Sequence, residues 1–272
     1  MDMTTNPYSI IVSSQKGGVG KTTISVNLSI AIRQRGYKVL LVDGDYTNPC
    51  IGFHLGMENA NAGLRSVVSG KAKLASVVAV HNPTGLHVLI NEITSKPFHP
   101  NMTQQKGLRD ELGKSGYDFV IIDMPPGAED IEEVMAFCSE NSREVLIILT
   151  PEMSACSSAI RLAQIYEKNH ILHNMVANRV KNRGYELSIG EIEDAVGEGL
   201  MGVLPEDENV PISIAQHIPV ILMNGRSGFP GAVKNLARKA CNRVGYEPGE
   251  ERGMRSAGGG GFFAWLRRLF GM

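Results

Sequence analysis

Three glycines, Gly17, Gly18 and Gly20, lie between an apolar run over residues 9–13 and a helical pattern that opens with Lys21-Thr22-Thr23. A strand, a glycine turn and a helix in that order are what a phosphate cradle requires. The glycines let the backbone around Val19 turn tightly enough to aim successive N–H groups at phosphate oxygens, and the helix N-terminus adds partial positive charge. Lys21 is then placed to reach the β and γ phosphates, and the Thr22 hydroxyl to take one position on Mg²⁺. A ligand with β and γ phosphates, together with Mg²⁺, is expected. The general pattern GxxxxGK[ST] asks for glycine at position 15, where this chain has Gln15 followed by Lys16.

Two further apolar runs end in carboxylates, at Asp43-Gly44-Asp45 and at Asp123-Met124-Pro125-Pro126-Gly127. Ligands of open parallel sheets sit beyond the C-terminal ends of the strands. Both acidic ends are therefore expected to face the glycine loop, with Asp43 open to a purely structural role.

The elements that must carry these residues alternate along the chain. Strand-like runs fall at 9–13, 38–43, 86–90, 117–123, 145–150, 175–178 and 201–204. Helical periodicities fall at 22–35, 102–113, 131–139, 157–168, 189–196 and 232–243. The fold expected is α/β, a mostly parallel doubly wound sheet with helices on both faces. The 272 residues, 43% hydrophobic, suffice for such a core, and 27 basic against 28 acidic side chains leave a net charge of −1. Any affinity for nucleic acid or membrane must then come from a local patch. Cys50, Cys138, Cys156 and Cys241 form no CxxC pair and no zinc spacing, which suits a reducing, cytoplasmic setting. No secretory leader or spanning segment is legible.

The run Lys16-Gly17-Gly18-Val19-Gly20-Lys21-Thr22 resembles the deviant Walker A loop, KGGxGK[ST], of the MinD and ParA ATPases, and the likeness extends from about Ile10 to the C-terminus. The resemblance implies a homodimer formed with ATP. Lys16 would be the signature lysine that crosses to the partner's nucleotide, a trans-acting cation set against charge developing on the phosphates. Asp123 would hold Mg²⁺ through water, Asp45 would orient or activate the attacking water, and Gly127 would offer its N–H to the γ-phosphate. Thr22, Asp45 and Asp123 together make the metal set. The segments VANRVKN and GVLPEDENV are similar to the family's base-binding segments, so that Asn178 would bond the adenine edge while Pro205, Glu206 and Asp207 wall the ring. Glu152, in TPEMSA, would meet the partner's nucleotide.

Residues 1–246 are read as the ATPase domain, 247–261 as a glycine-rich tether and 262–272 as an amphipathic helix. At about 100° per residue, Phe262, Phe263, Trp265, Leu266, Leu269 and Phe270 fall within an arc of about 160°, with Arg267 and Arg268 on the other side. Such a helix is too short to span a bilayer and suits the headgroup boundary of an anionic membrane. The tail selects a MinD-like reading, peripheral at the membrane in the ATP state and released on hydrolysis stimulated by an activating or adaptor protein. DNA is not expected as a partner. Gln15 keeps a ParA-like DNA-partitioning ATPase as the alternative, with Lys234, Arg238, Lys239 and Arg243 as its candidate basic surface. An iron–sulfur carrier and a non-hydrolysing regulator are further alternatives.

Overall fold

Near-continuous apolar strands need cover on both faces, and that requirement organises the molecule. The computed structural model describes residues 6–57, 62–93, 98–127, 134, 137, 143–223, 227–244 and 248. In chain order these form β1 (Tyr8–Ser13), α1 (Lys21–Gln34), β2 (Val39–Asp43), α2 (Ile51–Leu55), α3 (Leu64–Val68), α4 (Leu74–Val77), β3 (Ala79–His81), β4 (Leu86–Leu89), α5 (Met102–Gly113) and β5 (Phe119–Asp123). There follow β6 (Arg143–Leu149), α6 (Met153–Lys168), β7 (His173–Val180), α7 (Ile189–Val196), β8 (Leu200–Pro205), α8 (Asn209–Ala215) and α9 (Gly228–Val244).

The eight strands make one sheet in the order β3-β4-β2-β5-β1-β6-β7-β8. All neighbouring pairs are parallel except β3 with β4. Alternate side chains of each strand enter opposite layers. Ile10, Val12, Leu41, Ile121 and Ile148 pack with α1 and α9, whereas Ile11, Leu40, Val42, Ile122 and Ile147 pack with α5 and α6. The α/β doubly wound expectation is met.

Helix α1 begins at Lys21, where the helical pattern opens, and hardly any of it meets solvent: Lys21 and residues 23–32 are all buried. The reason is α9, which packs against α1 and also against β8, so that the two helices share one layer over the sheet. Polar residues in this buried helix bond locally: Asn27 Nδ2 donates to Thr23 C=O at 2.8 Å and Ser29 Oγ to Ser25 C=O at 2.7 Å. The short helices α2–α4 and α8 and the edge strand β3 carry too little periodicity to be read from sequence. The helix expected at 131–139 lies outside the described residues except for Val134 and Phe137, both buried. The 249–261 part of the tether and the whole 262–272 helix also lie outside them. Among the described residues no helix is long and apolar enough to cross a membrane.

Candidate functional site

Register brings the carboxylates to the glycine loop. Asp43 and Asp123 pair directly across β2 and β5, and Asp123 pairs with Val12 of β1, one residue before the strand runs into the loop. The result is a cleft of about 350 Å³ lined by Gly17, Gly18, Gly20, Lys21, Thr22 and Thr23 from the loop and α1, and by Asp45 and Asp123 from the neighbouring strand ends.

The loop geometry follows from glycine at the positions that need it. Gly20 has φ +95°, and a Cβ there would run into the side-chain amide of Asn178. Asn178 is buried, and its Nδ2 donates to Val19 C=O at 2.7 Å, tying β7 to the turn. Alanine at position 20 must adopt a strained backbone and push Asn178 aside, at roughly 2 kcal/mol. The expected outcome for Gly20→Ala is nucleotide affinity weakened about 30-fold, checked by titration with a fluorescent nucleotide.

Asp123 is the electrostatic centre. Its Oδ2 accepts from Thr22 Oγ1 at 2.6 Å and its Oδ1 from Ser25 Oγ at 3.0 Å. Burial pushes its carboxyl up to about 6, against the lowering effect of those two hydroxyls and of Lys21. Burial also lowers the Lys21 ammonium, with Asp123 and Asp45 opposing that shift. Asp43 is fully buried; burial raises its carboxyl well above the usual range, the charge of Asp123 adds to this, and the Ile51 N–H offsets part of it. A threonine hydroxyl bonded to a carboxylate, beside a lysine and a second aspartate, is a hard oxygen donor set. It fits a Mg²⁺ ion that takes its remaining ligands from phosphate and water. Among the described residues no cluster of three or more His, Cys, Asp or Glu could hold a metal ion.

The Asp123 shift sets a pH dependence. A folded carboxyl near 6, against an unfolded value of about 3.9, takes up a proton on folding between those limits. Its contribution to stability is thus fully present below about pH 4 and lost as pH rises through 6, a difference of roughly 2 to 3 kcal/mol. Asp123→Asn should therefore raise the melting temperature of the nucleotide-free protein at pH 8 but not at pH 4, while removing magnesium-dependent nucleotide binding. Thermal unfolding at both pH values checks this.

Asp45 is held by its own loop: Thr47 N, Thr47 Oγ1 and Asn48 N converge on Oδ1 at 2.9, 2.7 and 2.8 Å. Asp43 bonds Ile51 N through Oδ2 at 3.0 Å, which is the structural role left open for it. Lys16 stands apart from the cleft. It is exposed, and its Nζ donates to Ser154 Oγ at 2.6 Å, beside Glu152 at the start of α6.

The residues expected on the base side make contacts of their own. The Nδ2 of Asn178 spends one donor on the loop, and its Oδ1 is buried with no hydrogen-bond partner. Glu206 forms a two-pronged bond with Arg179 at 2.8 and 3.2 Å. Arg179 itself has φ +62° and reaches Gly18 C=O at 3.4 Å. Pro205 ends β8 and abuts Gly228. Asp207 braces the chain: its carboxylate accepts from Asn209 N, Asn209 Nδ2, Ser227 Oγ and Phe229 N, fixing the start of α9. The Gly127 N–H donates to Ser14 C=O at 2.9 Å, so a γ-phosphate would have to displace that bond.

Sequence reasoning missed several residues. Ser25 lies three positions after Thr22, on the same helix face, which was a legible signal. Arg179, Cys50 and His54 were not legible. Cys50 and His54 line the cleft; burial pushes the Cys50 thiol up to about 11, and burial together with His217 holds His54 down near 4.

A family model described as an AAA domain matches residues 8–181. A relative named as a septum site-determining protein MinD in Oltmannsiellopsis viridis is 30% identical over 248 residues, spanning 88% of this chain and 77% of its own. The structure of MinD from Pyrococcus horikoshii, complexed with Mg-ADP, superposes with a TM-score of 0.76 at 25% identity over 88% of this chain and 98% of that one. A ParA family ATPase from Chlorobium tepidum shares the fold, with a TM-score of 0.72 at 20% identity over 86% and 98% of the two chains. A glycine loop built on Lys16 and Lys21, facing two strand-end carboxylates in a fold shared with these proteins, is thus accounted for: the chain belongs to the MinD/ParA family of P-loop ATPases.

Proposed function

We propose that this chain is a MinD-like ATPase that dimerises on binding ATP and magnesium, attaches to an anionic membrane through residues 262–272, and leaves it after hydrolysis. The observation that carries the reading is the division between two lysines of one loop. Lys21 is buried in the cleft among Thr22, Asp45 and Asp123, whereas Lys16, five residues earlier, lies outside it on an exposed face with Ser154. A cation so placed can serve a nucleotide other than its own chain's, as an arginine finger does.

In the proposed reaction the loop N–H groups and Lys21 hold the phosphates, and Asp45 orients water toward the γ-phosphorus. Thr22 and Asp123 hold magnesium, which when bound neutralises charge on the β and γ phosphates. The Asn178 Oδ1 acceptor suits the amino group of adenine. Glu152, next to Ser154, faces the partner in the dimer. Positioning of a division site or of a motility or chemosensory structure is the cellular role that fits, with an adaptor protein stimulating turnover.

A ParA-like reading has Gln15 in its favour. Its basic surface is weakened by two of its four candidates: Lys239 Nζ donates to Met201 C=O at 2.7 Å, and Arg243 lies 3.9 Å from the buried Glu144. The iron–sulfur reading loses support because Cys156 and Cys241 are buried in opposite layers of the sheet.

The test is co-sedimentation with vesicles containing anionic lipid, in the presence of ADP and of a non-hydrolysable ATP analogue. Binding with the analogue alone, alongside a shift to dimer in light scattering, is the expected result. Binding that ignores the nucleotide, or a monomer with the analogue and magnesium, overturns the proposal.

A further inference from the structure

Beneath the loop that carries Asp45 lies a small cavity walled by Pro49, Gly52, Phe53 and Ile90, with Asp43 and Asn91 also on its lining. Its volume is about 10 Å³, room for a single water molecule. Each of these two residues has one side-chain oxygen with no hydrogen-bond partner, Asp43 Oδ1 and Asn91 Oδ1. Both residues are fully removed from solvent, at 0% and 1% exposure. A buried acceptor left unpaired is costly, and two on the lining of one polar, water-sized space mark a place for a donor.

The opposite ends of the same two side chains grip the two ends of one loop. Asp43 Oδ2 accepts from Ile51 N at 3.0 Å, and Asn91 Nδ2 donates to Asp45 C=O at 2.9 Å. Between those points runs the turn whose Thr47 and Asn48 fix the Asp45 carboxylate.

We infer that one buried water bridges Asp43 Oδ1 and Asn91 Oδ1 and closes a polar ring that clamps residues 45–51 so that Asp45 is held in position at the cleft. Asp43 and Asn91 are then positioning residues for ATP hydrolysis. Water can both donate and accept, so it can join these two oxygens whichever way the Asp43 side is arranged, and the remaining walls offer it no competing side-chain donor. The inference rests on the reading of Asp45 as the residue that orients the attacking water.

The ring assigns different consequences to similar substitutions. Asp43→Asn keeps it intact, because the amide oxygen can accept from Ile51 while the amide nitrogen donates to the water. Its turnover should stay within about threefold of wild type. Asp43→Val and Asn91→Val break the ring and should lower kcat roughly 10- to 100-fold with KM for ATP within about twofold, the mark of a misplaced catalytic group. The double valine variant should be no slower than the poorer single, because both act on one ring.

Hydrogen exchange reads the clamp without turnover. Asn91→Val, or the smaller Asn91→Ser if valine does not fold, should speed exchange of the Ile51 and Thr47 amides at least about 10-fold while leaving those of β7 unchanged. Three results overturn the inference: Asp43→Asn as damaged as Asp43→Val, a rise in KM at constant kcat, or unchanged Ile51 exchange in the Asn91 variants. Normal turnover in Asp45→Ala sinks the reading of Asp45 instead, and the Ile51 exchange result still stands.

Discussion

Alanine at position 16 is expected to reduce ATP turnover on the order of 10³-fold, the scale of losing a trans-acting cation at a phosphoryl transition state, while nucleotide affinity changes by less than about threefold. The two effects separate because of where the side chain lies. Lys16 is exposed, lines no part of its own cleft, and bonds Ser154 on the far side of the loop. Its removal leaves the loop glycines, Lys21 and Thr22 as they are, and binding of a nucleotide to the single chain depends on those. Lys21→Ala should behave in the opposite way and lose binding outright, because Lys21 is the buried cation that faces Asp45 and Asp123. Equilibrium titration, phosphate release and light scattering with a non-hydrolysable analogue check the pair. The Lys16→Ala protein should also stay a monomer with the analogue; wild-type turnover and dimerisation in it would remove Lys16 from the mechanism.

Ending the chain after Gly261 should abolish sedimentation with anionic vesicles and leave nucleotide affinity within about twofold. The amphipathic helix expected over the eleven residues 262–272 would by itself give only weak, reversible attachment. Two such segments on the proposed dimer would gain an effective concentration that raises avidity by roughly 10² to 10⁴. Removing the apolar face of Phe262, Phe263, Trp265, Leu266, Leu269 and Phe270 removes both halves of that product. A milder variant, Trp265→Glu, should lose most of the bound fraction in the same assay, because a charge then sits in the apolar face. Undiminished sedimentation of the truncated chain would show that membrane affinity resides in the ATPase domain.

Local chemistry made the phosphate site legible. A loop that needs backbone N–H groups, positive φ and a lysine at a helix start can be written with few residue types, and Gly17, Gly18, Gly20, Lys21 and Thr22 spell it out. The parallel strands were legible for a related reason, since strands such as Phe119–Asp123 are buried on both faces and read as unbroken apolar runs. Legibility failed where a contact joins distant segments. Nothing near position 178 announces that Asn178 will hold Val19, 159 positions away, and nothing near 207 announces that Asp207 will tie Ser227 and Phe229. An aspartate after a strand reads the same whether it faces a ligand or braces a helix.

The sequence by itself determined the reaction class, the phosphate loop and the alternation that yields a parallel sheet, because these depend on residue type within a few positions. Only the tertiary structure decided that α1 is buried on all sides, that Lys16 and Lys21 part company, and that Asp43 and Asn91 share a cavity beneath Asp45. Those outcomes depend on which strands become neighbours and which helix covers which layer. The whole chain settles them at once by burying its apolar surface, and no short stretch of residues records the result.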